Sequence, residues 1–259
     1  MENELVTRAG REVDGKGAGV NLALRPLVAA PREVATEVHD MPLTNRVTPE
    51  GEIIAAAARG TVMGNRGGRL HRADKTLGGR RWVNKAWIVC RLSFNGRQRE
   101  VMSPSSYTEL FFLDEATAFA AGHRPCFECR RQDAVRFAEL FAGGPEGPGG
   151  RARAVAIDEM LHGERLTAGG EKATFEAFAG SLPAGTMVRH AGAAWLIPGD
   201  GRMLAWTPRG YGREMAVPTI AAVTVLTPRH TVGVLSAGYC VGIHASARRT
   251  EQQSRNSRP

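Results

Sequence analysis

Apolar and polar positions change period several times along this chain, and each change marks an expected element. Short apolar runs broken by glycines over residues 47–69 predict strand, turn, strand, ending in the loop Gly64-Asn65-Arg66-Gly67-Gly68-Arg69. Over residues 86–102, two extended runs flank Asn95-Gly96, a pair that favours the type I′ turn of a hairpin. Alternation along the first run puts Ile88, Cys90, Leu92 and Phe94 on one face, read as the apolar one, and Trp87, Val89, Arg91 and Ser93 on the other. Residues 110–113 read as a short strand. Asp114 suits the N-cap of a helix over 115–121, and Gly122 suits the left-handed residue that ends it. Pro125 is expected to open a second helix that buries Val135, Ala138, Leu140 and Phe141.

Beyond Gly143 the signals are more mixed. The Gly/Pro stretch 143–152 reads as a linker, although a surface loop within one domain has the same composition. Residues 157–166 and 171–178 read as short helices. Residues 187–198 and 202–207 read as a hairpin over Gly199-Asp200-Gly201, and 217–226 as a further strand. A helix then stops at Ala237-Gly238-Tyr239-Cys240, echoing Ala121-Gly122-His123 as a repeated helix-stop device. Trp195, Trp206 and Tyr211 read as core aromatics. The expected class is α+β: a small mixed sheet with a hairpin and two short helices around a Cys-x-x-Cys element, then a mixed, β-rich C-terminal region. The expected organisation is a disordered leader over 1–40, a basic Cys-x-x-Cys domain over 41–142, the linker over 143–152, the mixed region over 153–247 and a disordered basic tail over 248–259. Met41, where the composition shifts, offers an alternative start.

Charge sharpens this division. The net charge is +8, and residues 59–99 hold eleven Lys or Arg against one acid, Asp74. Such a concentration suits a polyanion, above all DNA, although a merely solvated face has the same composition. On this reading Arg66, Arg69, Arg80, Arg81, Arg124, Arg130 and Arg131 contact phosphates, and Trp82 or Trp87 is available to stack on bases. The glycine-rich loop is no Walker loop, because no Gly-Lys-Ser/Thr follows it. No apolar run is long enough to span a bilayer, and the first residues lack the pattern of a secretory signal, so a cytoplasmic protein that avoids membranes is expected.

The densest chemistry is Gly122-His123-Arg124-Pro125-Cys126-Phe127-Glu128-Cys129-Arg130-Arg131. Two thiolates at Cys-x-x-Cys spacing chelate one soft metal ion, zinc first, but they supply half of a tetrahedral shell. His123 is the expected further ligand, and His71, Cys240, a carboxylate or water are alternatives. Four cysteines in a chain of this length are too few for a disulfide scaffold. The surrounding pattern is not that of a thioredoxin, and His71, Asp74, His123 and Glu128 match no hydrolase spacing.

The run from Phe111-Phe112-Leu113-Asp114-Glu115-Ala116 through Ala121-Gly122-His123-Arg124-Pro125-Cys126-Phe127-Glu128-Cys129 resembles the second half of the zinc-binding, phosphotriester-repair domain of Ada-type DNA methylation-damage proteins. The resemblance covers about residues 86–131. It implies a zinc-binding fold and makes Cys90, which begins Cys90-Arg91-Leu92-Ser93-Phe94-Asn95, the counterpart of a zinc-bound methyl acceptor. The chain departs from the family where Phe94 and Asn95 stand near the expected second cysteine of that upstream pair. A nucleic-acid-binding protein with a zinc site, linked to DNA repair or processing, is the first expectation. A metal-dependent nuclease or repair enzyme, and a metal-free structural protein, are the alternatives.

Overall fold

A mixed six-stranded sheet gathers the first half of the chain in the computed structural model, which describes residues 41–98, 100–143, 150–218 and 220–248. The expected leader (1–40), the tail beyond Arg248 and residues 144–149 of the Gly/Pro stretch lie outside the described residues. The strands are β1 (Thr44–Val47), β2 (Ile53–Ala55), β3 (Val62–Asn65), β4 (Ile88–Cys90), β5 (Leu110–Phe112) and β6 (Arg124–Pro125), in the order β2-β1-β5-β3-β4-β6. The pairs β1/β5 and β4/β6 are parallel and the others antiparallel.

Between β5 and β6 runs helix α1 (Glu115–Ala120), whose two ends form as its sequence dictates. Asp114 Oδ1 accepts the Thr117 amide at 2.9 Å, satisfying a first-turn N–H. Gly122 stands at φ +85°, its amide bonds Phe119 O, and the His123 amide bonds Ala118 O, which completes a Schellman stop. All six residues of α1 are buried. Its small side chains allow this, because Ala118 and Phe119 join the core over the first sheet while Ala116 and Ala120 pack on a second.

That second sheet is wholly antiparallel. It comprises β7 (Phe175–Phe178), β8 (Thr186–His190), β9 (Ala193–Ile197), β10 (Arg202–Thr207), β11 (Gly210–Ala216) and β12 (Ala222–Val225), in the order β11-β10-β9-β8-β12-β7. Helices α2 (Arg131–Phe141), α3 (Ala154–Arg165) and α4 (Arg229–Ser236) complete the α+β architecture. Ile157, Leu161, Val234, Leu235 and Tyr239 share one core with Val89, Phe119 and Phe137. Residues on either side of the Gly/Pro stretch therefore bury the same apolar surface, and the Ala152 amide reaches back to Ala138 O at 3.1 Å. No helix among the described residues is long and apolar enough to cross a membrane.

Several expected elements change. The Asn95-Gly96 turn forms, with φ of 52° and 64°, but none of the described residues in 97–102 joins a strand. Both edges of β4 are already occupied, by β3 and β6, so no hairpin ladder can follow the turn. Pro125 is extended in β6, and the second helix begins only at Arg131. Residues 175–178 alternate between half-buried and exposed and pair with β12 as a strand, where a helix is expected over 171–178. The run 187–198 is divided by Ala191-Gly192, both at positive φ, into β8 and β9. The helix stop at Gly238 repeats that at Gly122: φ is +91°, and the amides of Gly238 and Tyr239 bond Leu235 O and Val234 O.

Candidate metal centre

The centre rests on the pairing of β4 with β6. Their parallel register sets Ile88 beside Arg124 and Val89 beside Pro125, and the Cys126 amide donates to Val89 O at 3.0 Å. Cys90 at the end of one strand therefore lies next to Cys126 at the end of the other. The chain then turns, with the Arg130 amide on Cys126 O at 3.0 Å, and this brings Cys129 back to the same point. The sulfurs of Cys90, Cys126 and Cys129 all lie within 4.8 Å of one another. Three thiolates bound to zinc at about 2.3 Å sit roughly 3.8 Å apart on a tetrahedron, so this set closes on a metal with sub-ångström to one-ångström shifts.

The faces of β4 are the reverse of those expected. Trp87 and Val89 are buried in the core, whereas Leu92 is half exposed and Cys90 is half-buried. The sequence pattern misleads because Trp87 and Val89 are themselves apolar, so alternation does not say which face meets the core. This inversion points Cys90 toward Cys126 and Cys129, both buried.

Backbone donors surround the sulfurs. The Glu128 amide donates to Cys126 Sγ at 3.4 Å. A hydrogen bond from Cys90 pulls the Cys126 thiol down to about 5 against the opposing effect of burial, and the amides of Cys129 and Glu128 add to this. Cys129 is also lowered, first by Cys90 and then, against burial, by the Arg91 amide. Cys90, donating to both and partly desolvated, is raised. Cys126 and Cys129 are thus biased toward the thiolate form, the form that a soft cation binds.

A cavity of about 630 Å³ reaches all three cysteines. Its walls include Met63, Phe111 and Tyr107 from distant parts of the sheet region, and its charged lining includes Arg91, Arg97, Glu109 and Glu128. Sequence reasoning misses these wall residues, since no local spacing ties residue 63 or 107 to Cys90. Arg97 and Glu128 pair with each other at 2.6 Å.

His123 is not in this group. It is fully buried under Phe112 and Trp87, at ring distances of 4.7 and 5.3 Å, and its Nε2 faces Arg66 at 3.4 Å. Burial, then Arg66 and Arg165, push its pKa well below the ordinary histidine value, so it is neutral. Its position after the Gly122 stop turns it inward, to the face opposite the cysteines. His71 and Cys240 are also outside the group. His71 is held by Thr108 Oγ1 at 2.7 Å and Ser103 O at 3.1 Å, and Cys240 is exposed. Asp74 caps its own turn at Thr76, so His71, Asp74, His123 and Glu128 form no acid–base constellation.

The seven expected phosphate contacts divide in two. Arg69, Arg80, Arg81 and Arg131 are exposed. Arg124 is buried in a two-pronged pair with Asp158, at 2.9 and 2.8 Å, and cannot reach a surface ligand. Arg130 lies 2.8 Å from both Glu115 and Asp133, and Arg66 is buried with a bond to Gly51 O at 2.8 Å, so neither belongs to the exposed basic surface. Paired or desolvated guanidiniums brace the fold here, a role composition cannot distinguish from nucleic-acid contact. Trp87 is likewise buried, leaving Trp82 as the exposed indole. No family model, curated protein or solved structure matches this chain.

Proposed function

We propose that this protein binds zinc through Cys90, Cys126 and Cys129 and acts on nucleic acid, DNA in the first instance, at the cavity those residues line. The convergence of three sulfurs from two separate chain segments carries this reading. Soft thiolate donors in a compact set favour zinc among common cellular metals. A site with three protein ligands beside a cavity matches zinc centres that keep a position for an incoming molecule, rather than closed four-cysteine structural sites. The exposed Arg69, Arg80, Arg81 and Arg131, with Arg91 at the cavity, supply the positive surface a phosphate backbone needs. The resemblance to Ada-type repair domains supports the same choice.

A repair activity is the enzymatic form of this reading, supported by the resemblance, which makes Cys90 the counterpart of the methyl acceptor, and by the place of Cys90 in the cavity wall. A Cys90 thiolate attacking a methyl phosphotriester would form an S–C bond as the C–O bond breaks. The phosphodiester would leave with the electron pair.

Metal analysis of the purified chain tests the centre. One zinc per chain is expected, lost in Cys126→Ser/Cys129→Ser and retained in Cys240→Ser; metal-free wild-type protein would remove the reading. DNA affinity should fall steeply with salt, and each of Arg69→Ala, Arg80→Ala and Arg131→Ala should lower the salt slope by up to about one. Weak binding that is unchanged between low and moderate salt would exclude nucleic acid.

A further inference from the structure

A second cavity, of about 700 Å³, is lined by Trp87 and thus lies on the side of β4 that Cys90 does not face. Three cations converge on it from separate elements: Arg66 after β3, Arg165 at the end of α3, and Lys172 before β7. Arg66 and Arg165 are 2% and 1% exposed, so their charges are withdrawn from water. Among the described residues, none of the three has a carboxylate within 4.0 Å.

Their hydrogen-bond partners are all neutral, and opposing charges act on them only from beyond ion-pair distance, Asp158 on Arg165 and Glu50 on Lys172. Arg66 donates to Gly51 O at 2.8 Å and more weakly to Arg81 O and His123 Nε2, both at 3.4 Å. Arg165 donates to Gly122 O at 2.6 Å and Lys85 O at 2.7 Å, while its Nη2 is buried without any partner. Lys172 Nζ donates to Ala120 O at 2.6 Å. Both guanidiniums lie over the Trp87 ring, 4.1 and 4.8 Å from its centroid. Carbonyls and an indole face offset part of the desolvation of a cation, but they do not neutralise it. The acids in the lining are engaged or exposed: Glu50 forms a two-pronged pair with Arg189, and Glu52 and Glu171 face solvent. Burial, opposed by Glu50 and reinforced by Arg66 and Arg165, pushes the Lys172 ammonium down to about 7.

We propose that this cavity is a binding site for a phosphate dianion carried by a phosphomonoester, held by Arg66, Arg165 and Lys172, with the exposed Arg81 also lining the site. A dianion offsets the two guanidinium charges, together with the lysine charge its binding restores, better than a carboxylate does. A tetrahedral oxyanion also offers enough acceptor oxygens for the unpartnered Arg165 Nη2 as well as the ammonium. The volume exceeds what one inorganic phosphate fills, so an organic group accompanies it, beside Trp82. The ester is either a small metabolite-sized molecule or the terminal phosphate of a nucleic-acid strand; the recognised chemistry is the same.

Titration calorimetry on the full chain at constant ionic strength tests this, with inorganic phosphate as the first probe. One site is expected, weakened at least tenfold in Lys172→Gln, which keeps a donor for Ala120 O, and weakened also in the surface variant Arg81→Ala. Two buffers of different ionisation enthalpy should show proton uptake near pH 7.5 that disappears in Lys172→Gln, as bound anion restores the lysine charge. Chelator-treated protein should bind phosphate equally, which separates this site from the zinc centre. A mononucleotide and a 5′-phosphorylated oligonucleotide, each against its unphosphorylated counterpart, assign the source by which gains more from its phosphate. No heat at 10 mM phosphate, or equal affinity in wild type and Lys172→Gln, overturns the proposal.

Discussion

Arg165 Nε donates to the carbonyl of Gly122 at 2.6 Å, and the same side chain fills the space a Cβ on residue 122 would need. The residue that stops α1 thus also seats a buried cation from α3. Through it, the turn leading into the cysteines is tied to the second cavity.

Gly122→Ala should therefore cost more than a left-handed backbone alone explains. A Cβ at 122 would lie 2.5 Å from Arg165 Cγ, whereas at Gly238, equally left-handed, it meets nothing within 4 Å. Left-handed strain should cost about 1 kcal/mol in Gly238→Ala, and the added clash should bring Gly122→Ala to about 2–4 kcal/mol. Urea denaturation of the two variants measures the difference; equal losses would mean that Arg165 moves aside freely.

The Arg124–Asp158 pair fastens β6 to α3 within the core. Asp158→Ala leaves the guanidinium buried without its counter-charge and should destabilise by about 3–5 kcal/mol. Arg124→Met/Asp158→Leu should recover most of that loss, since apolar groups of similar size remove the desolvation penalty along with the attraction. Thermodynamic cycles from urea curves give both numbers.

Cobalt substitution reports the number of sulfurs on the metal. Three thiolates should give an intense near-ultraviolet charge-transfer band in wild type, reduced by about a third in Cys90→Ser and unchanged in Cys240→Ser. A band equal in wild type and Cys90→Ser would place Cys90 outside the coordination shell.

Lys172 makes stability rise with pH on the alkaline side of neutrality. Its pKa is about 7 when folded against 10.5 as the ordinary value. Between those values the unfolded chain holds a proton that the folded chain has released, so deprotonation favours folding across the window. Below pH 7 the group is charged in both states and its penalty is constant. In phosphate-free buffer, the stability of wild type relative to Lys172→Gln should increase from pH 7 to 10; a flat difference would show an ordinary lysine.

Legibility followed distance along the chain. Asp114 as N-cap and Gly122 as helix stop are readable because their partners, Thr117, Phe119 and Ala118, lie within a turn. Cys126 and Cys129 belong together for the same reason. The spacing from Pro125 suggested a helix start, but β4 supplies an edge that Pro125 and Arg124 extend along. Likewise Phe175 and Ala177 acquire a buried face only because β12 lies beside them.

What the sequence by itself determined was local: the positive-φ stops and the Asn-Gly turn, the Cys-x-x-Cys loop, and a positively charged first half. The tertiary structure decided which face of β4 is buried, and so brought Cys90 rather than His123 to the sulfur cluster. It also decided that Arg124 and Arg130 brace carboxylates while Arg66 joins Arg165 and Lys172 around a cavity. The physical reason is that backbone dihedrals, caps and short chelating loops are fixed by near neighbours, whereas strand register and the burial of a charge depend on which distant surfaces meet.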